Sequence, residues 1–178
     1  MAFAHDTQAA LEAAVHLANT AIEPDTLTSL GDLGEFFDTF AYTGARPTDA
    51  DLEPTRTIRR TLHDLFAATR DGAVPQVNHI LAGARALPQL VRHGDVDWHI
   101  HATTDDRPLA ERILVETAMA MIDMIRADEM SRFDRCTNDD CDGIVLDLSR
   151  NRSRMYCSTA CTNRAAAAAY RARQSADD

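Results

Sequence analysis

The apolar residues of this chain recur at helical spacing over most of its length. Five such segments are bounded by capping residues, glycine or proline. Ser29 and Asp32 have the spacing of a capping box, which predicts where the second helix begins. The fifth segment is the most apolar, so we expect it to form the central helix of its domain. The predicted helices cover residues 6–20, 30–40, 49–69, 74–87 and 108–127.

One stretch between the fourth and fifth predicted helices alternates with a period of two residues instead. Residues 96–102 place Trp98 and its apolar neighbours on one face and polar side chains on the other. The short run 89–93 and a turn at Gly94 precede this stretch. Together these segments predict a small β-hairpin in which Trp98 packs into the core.

The polar face of this hairpin carries His99 and His101, with Asp97 beside them. A His-x-His pair can ligate a metal ion, and a hydrolase or ligand sensor built on this pair is one alternative. No third ligand follows at a fixed spacing, however, and polar side chains are usual on the solvent face of a strand. The pattern therefore favours an ordinary strand surface and leaves the metal site open.

All four cysteines lie near the C-terminus, as a Cys-x4-Cys pair (Cys136 and Cys141) and a Cys-x3-Cys pair (Cys157 and Cys161) separated by fifteen residues. Two close pairs with a hairpin-sized spacer are typical of a tetrahedral zinc site, because each pair closes a short loop on the metal. Two disulfides are the alternative. The chain has enough apolar residues for a core and shows no signal peptide, which together favour one structural Zn²⁺ ion.

The residues around the cysteines predict a loop, a hairpin and a helix. Segments 143–148 and 153–156 are predicted strands that pair across a turn at 149–152. Ser158 is placed to cap a final helix that runs to about residue 173, so that Cys161 would lie in its first turn. This order of elements is typical of a treble-clef-like zinc finger.

Charge is unevenly distributed along the chain. The net charge is −10, but residues 132–173 carry 8 arginines against 5 aspartates, whereas residues 1–131 carry 10 arginines against 21 acidic residues. An acidic domain followed by a basic one suggests that the basic end contacts a polyanion. The N-terminus lacks a signal sequence and no apolar run is long enough to span a membrane, so we expect a cytoplasmic protein.

Several arginines of the basic end are candidates for contacts with nucleic-acid phosphates, since each offers a planar fork of donors. A solvated surface with local salt bridges to Asp142 or Asp147 is the alternative. Asn163 is expected to orient the metal-binding loops through hydrogen bonds. The sequence contains no Gly-rich phosphate loop and no nucleophile elbow, so we do not expect an enzyme. The candidate arginines are Arg150, Arg152, Arg154, Arg164 and Arg171.

These cysteines and their neighbours resemble the CGNR zinc-finger family. The family's Cys-Gly-Asn-Arg motif is represented by residues 161–164, with Thr162 in place of glycine. The N-terminal part is similar to the ABATE domain, through His-Leu-Ala-Asn-Thr at 16–20 and Ile-Arg-Arg at 58–60. The resemblance implies a bacterial transcription regulator with a DNA-binding finger and a stress-sensing or regulatory N-terminal domain.

We therefore predict a mainly α fold (α+β), with a helical ABATE-like domain and a small β-hairpin over residues 1–131. Residues 132–178 are predicted to form the CGNR-type zinc finger with its C-terminal helix. The predicted function is a zinc-dependent transcription regulator that binds double-stranded DNA through the finger. A zinc-stapled protein-interaction module that binds no DNA is the alternative. A small-molecule effector and a homodimer stay open, and no heptad seam is visible.

Overall fold

The computed structural model describes residues 3–93 and 96–174 of the chain. Its helices are α1 (His5–Asn19), α2 (Leu30–Thr39), α3 (Asp49–Phe66), α4 (Arg70–Ala84), α5 (Leu109–Arg126) and α6 (Thr159–Gln174). Its strands form two antiparallel pairs, β1 (Gln89–His93) with β2 (Val96–His101) and β3 (Phe133–Arg135) with β4 (Ile144–Leu146). The predicted mainly helical fold with a small hairpin is confirmed. In these described ranges, no helix is both long and apolar enough to cross a membrane.

The core is built around α1 and α5. Helix α5 packs against α1, α3 and α4, while α1 also contacts α3 and strand β4. Both helices bury continuous apolar faces, which explains why the most apolar segment of the sequence lies at the centre. Side chains with essentially no exposure include Leu11, Leu17, Ile113, Met121 and Met124.

Local hydrogen bonds determine where the helices begin and end. The capping box of Ser29 and Asp32 is present at the start of α2, as predicted. Helix α4 begins earlier than the predicted residue 74, because the Thr69 side chain accepts a hydrogen bond from the backbone N–H of Gly72. The same helix ends at Ala84, because Arg85 adopts a left-handed conformation with φ of 51°.

The β1–β2 hairpin forms as predicted, but the prediction that Trp98 packs into the core was wrong. Trp98 is 63% exposed, and Leu90 and Ile100 on the same face are exposed as well. The hairpin is attached to the body partly through its β2 edge, where the Ile100 N–H donates to the Asp6 carboxylate at 3.2 Å. The alternating pattern therefore identified the two faces of β2 but not which residues of the strand would be exposed to solvent. The predicted turn at Gly94 lies outside the described residues.

The second hairpin pairs differently from the prediction. Strand β4 pairs with β3, which precedes the first cysteine, and not with residues 153–156. Two features keep residues 153–156 from pairing with β4 as a strand. The backbone N–H of Arg154 donates to the Asp147 carboxylate at 2.7 Å, and Arg152 adopts a left-handed φ of 47°. The two strands therefore flank the first cysteine pair.

A buried ion pair joins α3 to the loop that follows α1. Arg59 is only 8% exposed and donates two hydrogen bonds to Asp25, at 2.8 and 3.0 Å. These bonds hold the pKa of Asp25 well below its usual range. Arg60, its neighbour, instead forms an exposed pair with Asp64 at 2.8 Å. Both arginines are thus engaged in ion pairs with aspartates of the N-terminal part of the chain.

We expect Asp25→Asn to lower the free energy of unfolding by about 2–3 kcal/mol, because it leaves the buried Arg59 without a counter-charge. Urea denaturation at neutral pH measures this change. Asp64→Asn, which removes the partner of Arg60 on the helix that carries Arg59, is the matched control and should cost under about 1 kcal/mol, since that pair is exposed. Equal effects of the two substitutions would contradict the assignment of a buried, stabilising pair to Asp25.

Candidate metal centre and its surroundings

The four cysteines come from both ends of the C-terminal unit. Cys136 directly follows β3, and Cys141 lies shortly before β4. Cys157 precedes α6, while Cys161 lies in the first turn of that helix. The short β3–β4 hairpin therefore presents one pair of thiols, and the N-terminus of α6 presents the other.

The sulfur atoms have the separations of a tetrahedral metal site. The Sγ atoms of Cys141, Cys157 and Cys161 are 3.6 Å from one another, and all four Sγ atoms lie within 4.8 Å of each other. Four Zn–S bonds of about 2.3 Å in a tetrahedron place sulfurs about 3.8 Å apart. All four thiols are free of disulfide bonds. The predicted single structural zinc fits this cluster, and the four thiolates would fill its coordination sphere.

Burial and hydrogen bonds act in opposite directions on these thiols. Burial raises the pKa values of Cys141 and Cys157. At Cys161 burial acts in the same direction, but hydrogen bonds involving Asn138 and Ser158 outweigh it and lower the pKa to about 6. Ser158 also accepts the Cys161 backbone N–H at 3.2 Å, which confirms it as the cap of α6. These hydrogen bonds therefore favour the thiolate that metal binding requires.

Two residues that the sequence reading did not single out help to shape the site. The Asn138 side chain donates to the Cys161 carbonyl at 2.9 Å and so ties the first cysteine loop to α6. Gly143 lies so close to Cys157 that an added Cβ would stand 2.7 Å from its sulfur. Both residues could have been recognised in the sequence, because they lie inside or next to the first cysteine pair. Asn163, for which this orienting role was predicted, lies exposed on α6.

The two strands β3 and β4, the four cysteines and α6 together form the metal unit, residues 133–174. Its β3–β4 hairpin is bound firmly to α1. The Asn19 side chain donates to the Ile144 carbonyl at 2.8 Å and accepts the Ile144 N–H at 2.7 Å. Ile144 is buried in the main core, and Phe133 stacks on Phe66 of α3 with ring centroids 4.9 Å apart. These contacts give the two parts of the chain a fixed relation.

Asp147 organises the loop that carries three of the candidate arginines. Its carboxylate accepts the backbone N–H groups of Ser149 at 2.8 Å and Arg154 at 2.7 Å. A hydrogen bond from the Ser149 side chain, together with these backbone bonds, lowers the pKa of Asp147. Arg150 is exposed at the tip of this loop. Arg152 turns back to Glu129, with which it forms an ion pair, and to the Ser131 hydroxyl at 2.8 Å. The three arginines therefore do not form one equivalent cluster.

Helix α6 projects from the metal site with little packing of its own. Cys161 is buried and Ala165 is half-buried, whereas every other described side chain of α6 is exposed. Arg164 and Arg171 lie seven residues apart and thus on nearly one face. Within the described ranges, Arg150, Arg164 and Arg171 form no ion pair with a carboxylate. Their charges are available for an external partner.

A cavity of about 800 Å³ lies between α1 and the metal unit. Arg154 and Arg164 line it from the metal unit, and Glu12 and His16 line it from α1. Burial lowers the pKa of His16, whose ring also stacks on an aromatic side chain of α2. The cavity brings side chains of both parts of the chain to one opening.

Comparison with protein families gives two matches that together cover most of the chain. Residues 132–174 match the CGNR zinc finger. Residues 11–128 match the ABATE family, described as "Putative stress-induced transcription regulator". A comparison with curated proteins finds no match. The resemblance inferred from the cysteine and arginine motifs is confirmed by both matches.

Removal of the metal should release α6 but leave the core intact. We expect a zinc chelator, or Cys136→Ala, to make the chain cleavable by trypsin after arginines in 150–173, because the only side chain that α6 buries among the described residues is Cys161, itself a metal ligand. Helices α1 to α5 should remain resistant, since they share the main core. Mass mapping of the fragments measures this difference. Continued protection of α6 in metal-free protein would be inconsistent with a metal-dependent helix.

Asn19→Ala should weaken the attachment of the metal unit. It leaves the buried N–H and C=O groups of Ile144 without partners, which we expect to cost about 2–3 kcal/mol of unfolding free energy. Hydrogen exchange at the Ile144 amide should accelerate with it. Asn78→Ala, on the exposed face of α4, is the matched control and should change neither quantity. Unchanged exchange at Ile144 in the Asn19 variant would show that the backbone is held by other contacts.

Proposed function

Because this chain belongs to the ABATE family of transcription regulators and ends in a CGNR zinc finger, we propose that it binds double-stranded DNA through the finger. In this proposal the zinc ion holds α6 and the adjacent loop in place, and their arginines contact the phosphate backbone. The N-terminal helical domain regulates that binding. The single observation that carries the proposal is the projecting α6 helix, whose arginines form no ion pair with any carboxylate in 3–93 or 96–174.

The exposure of α6 supports a role for this helix in contacts with DNA. A helix buried on one face would have to leave the core to reach a partner, whereas α6 already presents nearly all of its surface. The major groove of B-DNA admits an α-helix, and arginine forks bind phosphate oxygens or guanine edges. The short side chains of residues 165–169 would permit a close approach of the helix backbone to DNA.

The contacts of the individual arginines suggest unequal roles. Arg150, Arg164 and Arg171 are exposed and form no ion pair among the described residues, so they are the strongest candidates for phosphate contacts. Arg154 is also exposed, and the hydrogen bonds of its guanidinium group to the Leu146 and Tyr156 carbonyls are long, at 3.4 Å. Arg152 is held by Glu129, so we propose a smaller contribution from it.

The acidic N-terminal part would restrict how DNA approaches. Residues 1–131 carry an excess of acidic side chains and would repel phosphates, whereas residues 132–173 carry an excess of arginine. A duplex would therefore contact the finger alone. The fixed junction at Asn19 and the cavity beside it give a physical route for regulation, because a ligand bound there would contact both α1 and the finger.

We also propose a binding role and not a catalytic one. Four thiolates complete a tetrahedral zinc site and leave no coordination position for water or substrate. Such a site contributes folding energy to the finger, which agrees with how little of α6 is buried. The zinc ion then acts on DNA binding only by holding the arginines in position.

Salt-dependent DNA binding tests this function. For the zinc-loaded full chain, we expect the logarithm of the association constant to fall linearly with the logarithm of salt concentration. The Arg164→Ala, Arg171→Ala double variant should reduce that slope by about 2, because each lost phosphate contact contributes about 0.9. Fluorescence anisotropy with mixed-sequence duplexes measures the slope, and zinc content should stay unchanged.

Matched controls separate a specific surface from net charge. Arg46→Ala with Arg60→Ala removes two exposed charges from the N-terminal domain and should leave the slope unchanged. Arg152→Ala should lower affinity less than Arg150→Ala. No binding of duplex DNA by the zinc-loaded protein at low salt would overturn the proposal, and a zinc-stapled protein-interaction module would then be the better explanation.

A further inference from the structure

A second group of metal-ligating side chains lies on the β1–β2 hairpin, on elements separate from the cysteine cluster. His99 and His101 are two residues apart on β2, so their side chains share one face of the strand. Their rings meet edge to face with centroids 4.9 Å apart, and their Nε2 atoms are 3.1 Å apart. Both side chains are partly exposed. The pair is therefore accessible to a small ion from solvent.

The backbone fixes the tautomer of one of these histidines. His99 Nδ1 lies 2.8 Å from the Asp97 carbonyl oxygen. Because a carbonyl can only accept, Nδ1 must carry the proton, and Nε2 of the neutral ring then carries a lone pair. Histidines that bind metals commonly donate their other ring N–H to a backbone carbonyl in this way, which orients the ring. His99 is thus already arranged as a ligand through Nε2.

The separation of the two Nε2 atoms suits chelation of one ion. Metal–nitrogen bonds of about 2.0–2.1 Å with bond angles between octahedral and tetrahedral values place two nitrogens about 2.9–3.4 Å apart. The observed 3.1 Å lies within this range. In the metal-free pair, the lone pair on His99 Nε2 can accept a hydrogen bond from the N–H at His101 Nε2. A metal ion would take the place of this bridging hydrogen without moving either ring far.

We propose that His99 and His101 form a two-histidine site for a divalent transition-metal ion of the zinc, nickel or copper class. Imidazole nitrogens suit these ions, whereas magnesium and calcium prefer oxygen ligands. When the ion binds, both Nε2 atoms donate lone pairs to it. The proton that His101 Nε2 gives up is replaced by one at Nδ1 of the same ring, taken up through solvent, so the ring stays neutral. Water completes the coordination.

The surroundings leave room for those water ligands. His101 lines a cavity of about 740 Å³ between the hairpin, the end of α4 and the loop before α5. Gln89, which is paired with His101 across the hairpin, and Asp105 also line this cavity and offer oxygen atoms nearby. The described residues contain no cluster of three or more ligands here, so the site would bind its ion more weakly than the four cysteines do.

Zinc titration of the full chain tests this site. The protein is first loaded with one zinc per chain and dialysed, so that the cysteine cluster is filled. Isothermal titration with Zn²⁺ alone should then show one further equivalent with lower affinity. His99→Ala and His101→Ala should each abolish that second equivalent while one tightly held zinc per chain remains. His79→Ala removes an exposed histidine from α4 and is the matched control that should retain it.

Each outcome of the titration bears on the proposal. A second equivalent that persists in both hairpin variants, or that is lost in His79→Ala, would assign the binding to other residues and overturn it. The absence of a second equivalent in the unmodified protein would overturn it too. Circular dichroism should show unchanged helix content in the hairpin variants, because both side chains are partly exposed on a peripheral sheet. A variant that retains the second equivalent despite normal folding counts equally against the site.

Discussion

The mutual proximity of four sulfur atoms is the constraint on which the C-terminal end of this protein depends. Sulfurs 3.6 Å apart cannot all be thiolates without a compensating cation, because their negative charges would repel one another. A zinc ion turns this repulsion into attraction. Since α6 buries little besides Cys161, the metal takes the place of a hydrophobic core at that end of the chain.

The finger is consequently stabilised in two different ways. Its hairpin belongs to the main core, where Ile144 is buried and its backbone is held by Asn19. Its helix and the preceding loop depend on the cysteines, on the Ser158 cap and on Asn138. One side of the metal site is thus rigidly joined to the N-terminal helical domain, while the other carries the exposed arginines. This arrangement lets a structural ion hold those arginines in place.

Much of the candidate site was predictable because it depends on short-range spacing. The Cys-x4-Cys and Cys-x3-Cys pairs predicted one zinc site, and Ser158 was predicted as the helix cap. The partner of β4 was not, since strand pairing depends on which segments meet in space. The contact of Arg152 with Glu129 could not be predicted either, because the two residues are 23 positions apart and no local sequence pattern links them.

By itself, the sequence determined the helical class, the family, the metal ligands and the separation of an acidic domain from a basic one. The helical class and the charge separation follow from composition and periodicity, the metal ligands from the spacing of the cysteines, and the family from the resemblance of short motifs; all of these are local along the chain. Only the tertiary structure decided that Trp98 faces solvent, that Asn19 bonds to Ile144, and which arginines remain unpaired. Such facts depend on contacts between distant segments, and a local pattern does not specify which of its faces another segment will cover.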